Sequence, residues 1–481
     1  MKKSVSVLIL LVISGVILYS QSDFEKWQAE QDQKFQQFVD DENQRFADFL
    51  EDEWRRFQAY QGIKFDSTPK PEMAPVYKTE SSVTNDAAGT EKSIPEPEFI
   101  LEAFNDDTSP AAAQSAAAAE GYQNISFFGL DLAFPEPEKA ALSGGVNNKT
   151  IAAFWMTMSE NDYDGLAEWI GEESEELGLG DWGTGIMASE IGDELFPDDK
   201  NSSRMAAWYF LVKNGFDVRV GYSGENVYLL VPSSATIYDT AYFTINGMNY
   251  YIHDFNYSPG VYSALYIYEA QFQDADSGIV FSSLSPPELG EEKMIRNYSF
   301  QYSGKEYSGT LEFNRNLVDY YSYIPHTDSA IYFRFALSDE LTESIIREFD
   351  DVIDSFSEKD AVNFLLRFVQ TAFEYATDQV QFGYEKWMFP EESVYYQYID
   401  CEDRSILFSA LVRKMLGLKV MGLDWPGHIA AAVSFNGNVS GTYIEYNGRK
   451  YVICDPTYIN ADVGMMMPDY QGVSVKLIKT E

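Results

Sequence analysis

Three residues near the end of the chain carry side chains that could act together on a carbonyl: Cys401, His428 and Asp455. A thiolate attacks, an imidazole takes the thiol proton, and a carboxylate holds the imidazole, which is the chemistry of acyl transfer through a thioester. A positioned base of this kind contributes about 10²–10⁴-fold in rate. Cys401 opens a segment in which Ile406, Leu407, Ala410, Leu411 and Met415 recur at helical spacing. At a helix start the macrodipole should lower a thiol pKa, and the free backbone N–H groups there can hold an oxyanion. Glu402 and Asp403 suit a helix start but oppose a thiolate, so a partner base is required.

The elements that must position these groups can be read around them. His428 lies in Trp425-Pro-Gly-His-Ile-Ala-Ala-Ala-Val, where a Pro-Gly turn delivers it to the start of a strand of small residues. Asp455 follows Tyr451-Val-Ile-Cys at a strand end, and Pro456 stops the pairing. Trp425, beside the histidine, is the candidate substrate-binding residue. Singly, a helix-start cysteine or a strand histidine is ordinarily a packing residue; the three together in one short region are what suggest chemistry.

The same sequence of elements occurs twice. Asn201-Ser-Ser-Arg-Met-Ala-Ala-Trp-Tyr-Phe-Leu-Val aligns with Cys401-Glu-Asp-Arg-Ser-Ile-Leu-Phe-Ser-Ala-Leu-Val, which places Arg204 on Arg404 and Leu211 on Leu411. Gly215 and Val218 then fall on Gly417 and Val420, and Asn226 falls on His428. Gly247-Met-Asn-Tyr-Tyr-Ile-His-Asp matches Gly448-Arg-Lys-Tyr-Val-Ile-Cys-Asp, and Tyr257 matches Tyr458. Both copies read helix, strand, strand. The first lacks the chemistry, since Asn201 and Asn226 stand where Cys401 and His428 stand in the second. Asp254 is retained, and His253, on Cys454, should point away from the site.

Cys-x-Asp-Arg-Ser opening a helix, Gly-His opening a strand and Cys-Asp-Pro-Thr-Tyr closing one resemble the transglutaminase-like superfamily. The resemblance covers about residues 340–470 and, more weakly, 150–260. It implies an α+β, papain-like fold in two tandem domains, the first degenerate, with Cys401 as nucleophile, His428 as base and Asp455 as orienter. Members include transglutaminases, peptidases and amidases, so the implied substrate is a peptide or protein amide. The superfamily often places an aromatic or polar group upstream of the cysteine near the oxyanion; Trp387, Tyr396, Gln397 and Tyr398 are the candidates. A non-catalytic binding or scaffold protein of the cell envelope is the alternative. Papain itself matches less well, because its histidine and asparagine follow far later than the 55 positions that hold all three residues here.

Residues 1–22 read as a signal peptide: Lys2 and Lys3, an apolar run from Val5 to Leu18, then Ser20 and Ser22. The expected location is therefore periplasmic or extracellular. Residues 23–62 place Phe24, Phe35, Phe46 and Phe57 eleven apart, each followed three later by Trp27, Phe38, Phe49 or Tyr60. An eleven-residue period puts both rows on one face of a long helix suited to self-association as a coiled coil, to packing on its own protein or to docking on an envelope partner. Residues 63–121, rich in Pro and Ala, read as a disordered linker. The expected domains are then 122–265 (degenerate copy), 266–337 (connecting strands at Tyr298–Tyr302, Thr310–Phe313 and Ile331–Leu337) and 338–481 (complete copy). Helices are predicted from Ser338 and after Ser357.

A net charge of −42 argues against nucleic acid as a partner, because phosphate binding needs clustered Lys and Arg. With two cysteines and three histidines a zinc cluster is hard to build and no ligand spacing suggests one, so no cofactor is expected. Strand alternation puts Cys454 on the face opposite Asp455, so both thiols should be free, with only Cys401 accessible. The aromatic rows generate a test of their own. A peptide of residues 23–62 should be helical and associate with rising concentration, and Phe→Ser at 35, 38, 46 and 49 should abolish association in sedimentation. A monomeric wild-type peptide that captures no envelope protein would rule out self-association and an envelope partner as roles for the stripe.

Overall fold

The structure is a computed structural model that describes residues 121–480, apart from 139, 141, 143, 257–264, 269, 271, 273 and 282–284. The expected signal peptide, the aromatic repeat and the linker through residue 120 lie outside the described residues, as does Tyr257. Among the described residues no helix is long and apolar enough to cross a membrane.

A hairpin of β1 (Tyr122–Phe127) and β2 (Leu130–Pro135) precedes four helices: α1 (Asn148–Glu160), α2 (Tyr163–Glu176), α3 (Gly180–Leu195) and α4 (Lys200–Lys213). Asn147 caps α1 by accepting from the Lys149 and Thr150 N–H groups, and Asp199 caps α4 from Asn201 and Ser202. Next come β3 (Arg219–Ser223), β4 (Asn226–Ser233), β5 (Tyr242–Ile245), β6 (Met248–Ile252) and the short β7 (Tyr266–Ile267). They form one antiparallel sheet in the order β5-β6-β4-β3-β7. The first sheet thus runs past residue 265, since β7 pairs with β3.

Strands β8 (Lys293–Tyr302) and β9 (Lys305–Asn314) form a long hairpin whose turn, Ser303-Gly304, takes the two positive φ values of a type I′ turn (50° and 77°). It leads into α5 (Arg315–Tyr321) and α6 (Ser329–Arg334). The predicted strand at Ile331–Leu337 is therefore corrected: Ser329–Arg334 is helical. The reason lies in packing that period-two reading does not see. Tyr332 and Phe335 both pack their rings on Phe389, with centroids 4.7 Å away in each case, and a turn of helix brings them together on one side.

Helices α7 (Asp339–Ile353) and α8 (Glu358–Thr371) begin where the capping residues Ser338 and Ser357 predict. After the short α9 (Asp378–Gln381) and α10 (Pro390–Tyr395) comes α11 (Cys401–Leu416), ended by Gly417 at φ 62°. The final strands are β10 (Lys419–Trp425), β11 (His428–Ser434), β12 (Tyr443–Tyr446), β13 (Arg449–Cys454) and β14 (Lys476–Ile478), in the order β12-β13-β11-β10-β14.

The two five-stranded sheets share strand order and register. Trp425 faces His428 across a two-residue turn, as Ser223 faces Asn226. Tyr443 opposes Val452 as Tyr242 opposes Tyr251. Each copy turns its outer hairpin on Asn-Gly, at 246–247 and at 447–448. A helix of mostly buried residues covers one face of each sheet, α4 in the first copy and α11 in the second. The coarse α+β expectation holds. The first copy is fastened to the connecting segment: Trp182 Nε1 donates to the Tyr323 carbonyl (2.9 Å) and Tyr320 Oη to that of Leu179 (3.1 Å).

In the first copy Arg204 and Asp254 form a buried ion pair, with Nη2 and Nε within 2.8 Å of Oδ2. Burying a charge without its partner costs far more than the pair gains. Asp254→Ala should therefore cost about 3–5 kcal/mol in denaturant unfolding. Replacing Arg204 by Met in that variant should recover most of the loss. A penalty below about 1 kcal/mol for Asp254→Ala would show that the pair does not hold the copy together.

Candidate active site

Strand β11 is buried along its whole length. Alternation sends Ala431 and Val433 into the core that contains Leu407 and Leu411 of α11, while Ala430 and Ala432 join Met421, Leu423 and Trp425 on the other face. Small side chains here let a helix lie close to the strand. Ser405, one turn into α11, ties the two elements by donating to the carbonyls of Cys401 (2.8 Å) and Ile429 (3.1 Å).

His428 is buried, and its Nε2 lies 2.9 Å from Asp455 Oδ2. The carboxylate is fixed at its other oxygen, where Oδ1 accepts from the N–H groups of Thr457 (3.0 Å) and Tyr458 (3.1 Å). The loop that makes this turn is held in place by Gln370. Its Nε2 lies 2.9–3.0 Å from the carbonyls of Asp455, Tyr458 and Ala461, and its Oε1 accepts from the Asn460 N–H. With Nε2 engaged, Nδ1 is the free ring nitrogen, buried and without a hydrogen-bond partner. The ring is stacked with Tyr470 (4.9 Å) and lies nearly parallel to Trp425 (6.1 Å), and those two rings also meet each other at 5.6 Å.

Cys401 stands at the first position of α11, as predicted, but its setting differs from the expectation in two ways. The residue is only 3 % exposed, so neither thiol is accessible: Cys454 is buried as well, in the core beneath α11, and both are free. The thiol is also not bonded to His428. It donates to Glu402 Oε2 at 3.0 Å and lies against the backbone N–H of Ile429, one residue from His428. The predicted fall in thiol pKa is reversed. Burial raises it well above the ordinary value, and the neighbouring Glu402 and Asp400 raise it further.

The source of that reversal is an acidic cluster that sequence spacing did not reveal. Asp378, Asp400, Glu402 and Asp403 are all buried. Burial, then Asp403 and Glu402, pushes Asp378 up to about 10. Glu402 rises to about 8 through burial, then Glu385 and Asp403. Asp403 rises to about 7, chiefly through burial. Asp400 lies well above its ordinary value for the same reason. Asp378 and Glu385 come from the segment around α9, more than fifteen residues before Cys401, and nothing in a one-dimensional pattern marks them.

Trp425, the predicted substrate-binding residue, is 3 % exposed, and its Nε1 is buried without a partner. Of the four upstream candidates, Trp387 donates through Nε1 to Glu385 (3.2 Å) and packs on Tyr332, whereas Tyr396 packs on Phe382. Tyr375, which the sequence reading passed over, is the aromatic residue whose hydroxyl feels both Cys401 and Asp400, and its ring lies under Arg404.

In the first copy the corresponding positions are filled by structural contacts. Asn201 Oδ1 accepts from the Val227 N–H (2.9 Å), matching the approach of Cys401 to the Ile429 N–H. Its Nδ2 donates to the Glu225 carbonyl (2.7 Å). Asn226 is exposed, and Arg204 takes Asp254 in place of a histidine. His253 is buried against Trp182, and burial lowers it to about 4. Comparison with known protein families, with curated proteins and with solved structures finds no match to this chain.

The cluster makes stability depend on pH. In the unfolded chain these carboxyls release their protons near pH 4, but folded they hold them to about 7–10. The folded state thus binds more protons, and its extra stability, complete below about pH 4, is lost as pH rises towards about 10. In the presence of chelator, the urea midpoint should fall between about pH 5 and pH 9, and Asp378→Asn should flatten that slope. An equal slope in the variant would show that the cluster is not its source.

Proposed function

We propose that this chain is a transglutaminase-like cysteine enzyme acting outside the cytoplasm on peptide or protein amides, with Cys401, His428 and Asp455 as its triad. The observation that carries the reading is the imidazole of His428. Asp455 fixes it through Nε2, and Nδ1 is left buried and unpartnered beside the strand position that Cys401 touches. A buried ring nitrogen without a partner is an exception that calls for an explanation, and a general base awaiting a proton supplies one. The paired-domain arrangement, with the first copy degenerate, belongs to the same reading and is supported by the shared strand order and register.

In the resting state the thiol points at Glu402, so the reaction begins with rotation about the Cα–Cβ bond of Cys401 towards His428. Nδ1 takes the proton and sulfur attacks the amide carbonyl carbon. The C–N bond then breaks, and the amine leaves with the proton that His428 held. Water or a second amine attacks the thioester, gives its proton to His428, and releases the acid or the new amide as the thiol is restored. A helix start leaves backbone N–H groups without intrahelical acceptors, and these, with the unpartnered Trp425 Nε1, are the donors proposed for the oxyanion. Peptidase, amidase and transglutaminase share this acyl-enzyme.

A second reading is favoured by one observation: the thiol is buried, bonded to an acid and raised in pKa. A non-catalytic binding protein of the envelope would tolerate that setting. The two are separated by intact-mass trapping with a library of peptide thioesters and amides. Under the catalytic reading the wild-type chain gains an acyl group at residue 401, Cys401→Ala gains none, and His428→Ala slows acylation by about 10²–10⁴-fold. No adduct with any acyl donor, or equal rates in wild type and His428→Ala, would favour the binding protein.

A further inference from the structure

We infer that His326 is an acid-sensitive latch between the two copies, closed while its ring is neutral and opened when the ring takes a proton. The first copy meets the connecting segment in a short backbone pairing. Residues 236–238, between β4 and β5, run antiparallel to residues 326–327, with Ile237 opposite Thr327. The Tyr238 N–H donates to the His326 carbonyl (2.9 Å), and Thr327 Oγ1 donates to that of Thr236 (2.8 Å). Ile237 and Thr327 are buried at this seam. The His326 ring carries the contact onward to the second copy. It is the middle of three rings, 4.7 Å from Tyr238 on one side and 6.1 Å from Trp387 on the other.

The ring is more than a filler between two aromatics, because its Nδ1 is buried with no hydrogen-bond partner. In the neutral imidazole Nδ1 can be the bare nitrogen, whereas imidazolium makes both nitrogens donors. A proton on the ring then leaves a buried N–H with no acceptor in reach. Three charged groups face it: Asp239 from the first copy, and Glu385 and Lys386 from the second. Burial holds the ring's pKa below its ordinary value, although the two acids pull it up; Lys386 adds to the fall. With the joint open the ring titrates as an ordinary histidine, near pH 6.5, but with the joint closed it resists the proton to a lower pH. Closure is therefore at full strength above about pH 6.5 and weakens as pH falls.

The latch leads towards the thiol. Trp387 Nε1 donates to Glu385, and Glu385 is the foremost charge acting on Glu402, which holds Cys401. Acid control of Cys401 by this route rests on the proposed function, whereas the latch itself does not, so the test reads the joint. Hydrogen exchange of the full chain is followed by mass spectrometry in a peptide containing Tyr238, with rates corrected for the intrinsic effect of pH. Protection there should fall at least about threefold between pH 7 and pH 5. His326→Gln, uncharged throughout, should show the same protection at both pH values. Asp239→Asn, at an exposed position, removes one acid that favours the imidazolium and should deepen the fall. If His326→Gln does not fold, Asp239→Asn decides the matter. Constant protection in the wild type, an equal fall in His326→Gln, or an unchanged fall in Asp239→Asn overturns the proposal.

Discussion

In each sheet an aspartate is buried just beyond the strand that pairs with the central one, Asp254 after β6 and Asp455 after β13, and each must find a donor that water cannot supply. The first copy answers with Arg204, the second with His428. That choice propagates. Where the arginine of the helix takes the carboxylate, the strand-start residue is released to solvent as Asn226. Where histidine takes it, the equivalent arginine, Arg404, turns to the carbonyls of Gln370 and Phe373 and so clasps the segment that follows α8. One buried carboxylate, met in two ways, separates a structural copy from one that has the parts of a reactive site.

Around Cys401 two electrostatic effects oppose each other, and their sizes decide the outcome. A helix N-terminus offers roughly half a positive charge, worth about 0.3–1 kcal/mol in ordinary settings. Against it stand burial and a set of carboxyls within the first turn and the segment around α9. A carboxylate near a thiolate in a poorly solvated site costs more than the dipole returns. The thiol therefore stays protonated and bonded to Glu402 in the resting chain. Any chemistry at sulfur requires that the thiol leave Glu402.

Much of this was legible in the sequence because the signals were local. Helix starts at Ser338, Ser357 and Cys401 and the Pro-Gly turn before His428 each depend on a few neighbouring residues. The duplication was visible because it conserves spacing between those signals, and the matching registers follow from it. What escaped depends on contacts between distant segments. Asp378 and Glu385 reach the thiol only through the fold of a loop with no periodicity. Gln370 acts on a loop 85 to 91 positions away. Ile331–Leu337 has the composition of a strand, yet its first half is helical because Tyr332 and Phe335 must both meet Phe389.

The histidine shows how such distant contacts convert a packing position into a poised one. Stacking on Tyr470 and Trp425 sets the plane of the ring, and Asp455 sets its rotation within that plane. Asp455 in turn cannot swing, because two backbone N–H groups hold its other oxygen and Gln370 holds the loop that carries them. Every degree of freedom of the imidazole is therefore taken up at Nε2 or at its faces, and the remaining lone pair at Nδ1 is left unsatisfied. A buried acceptor without a donor costs about 1–3 kcal/mol, so the surrounding shell must hold it against relaxation. The mobile partner in such an arrangement has to be the one with a single rotatable bond and an alternative acceptor, and that is Cys401 with Glu402.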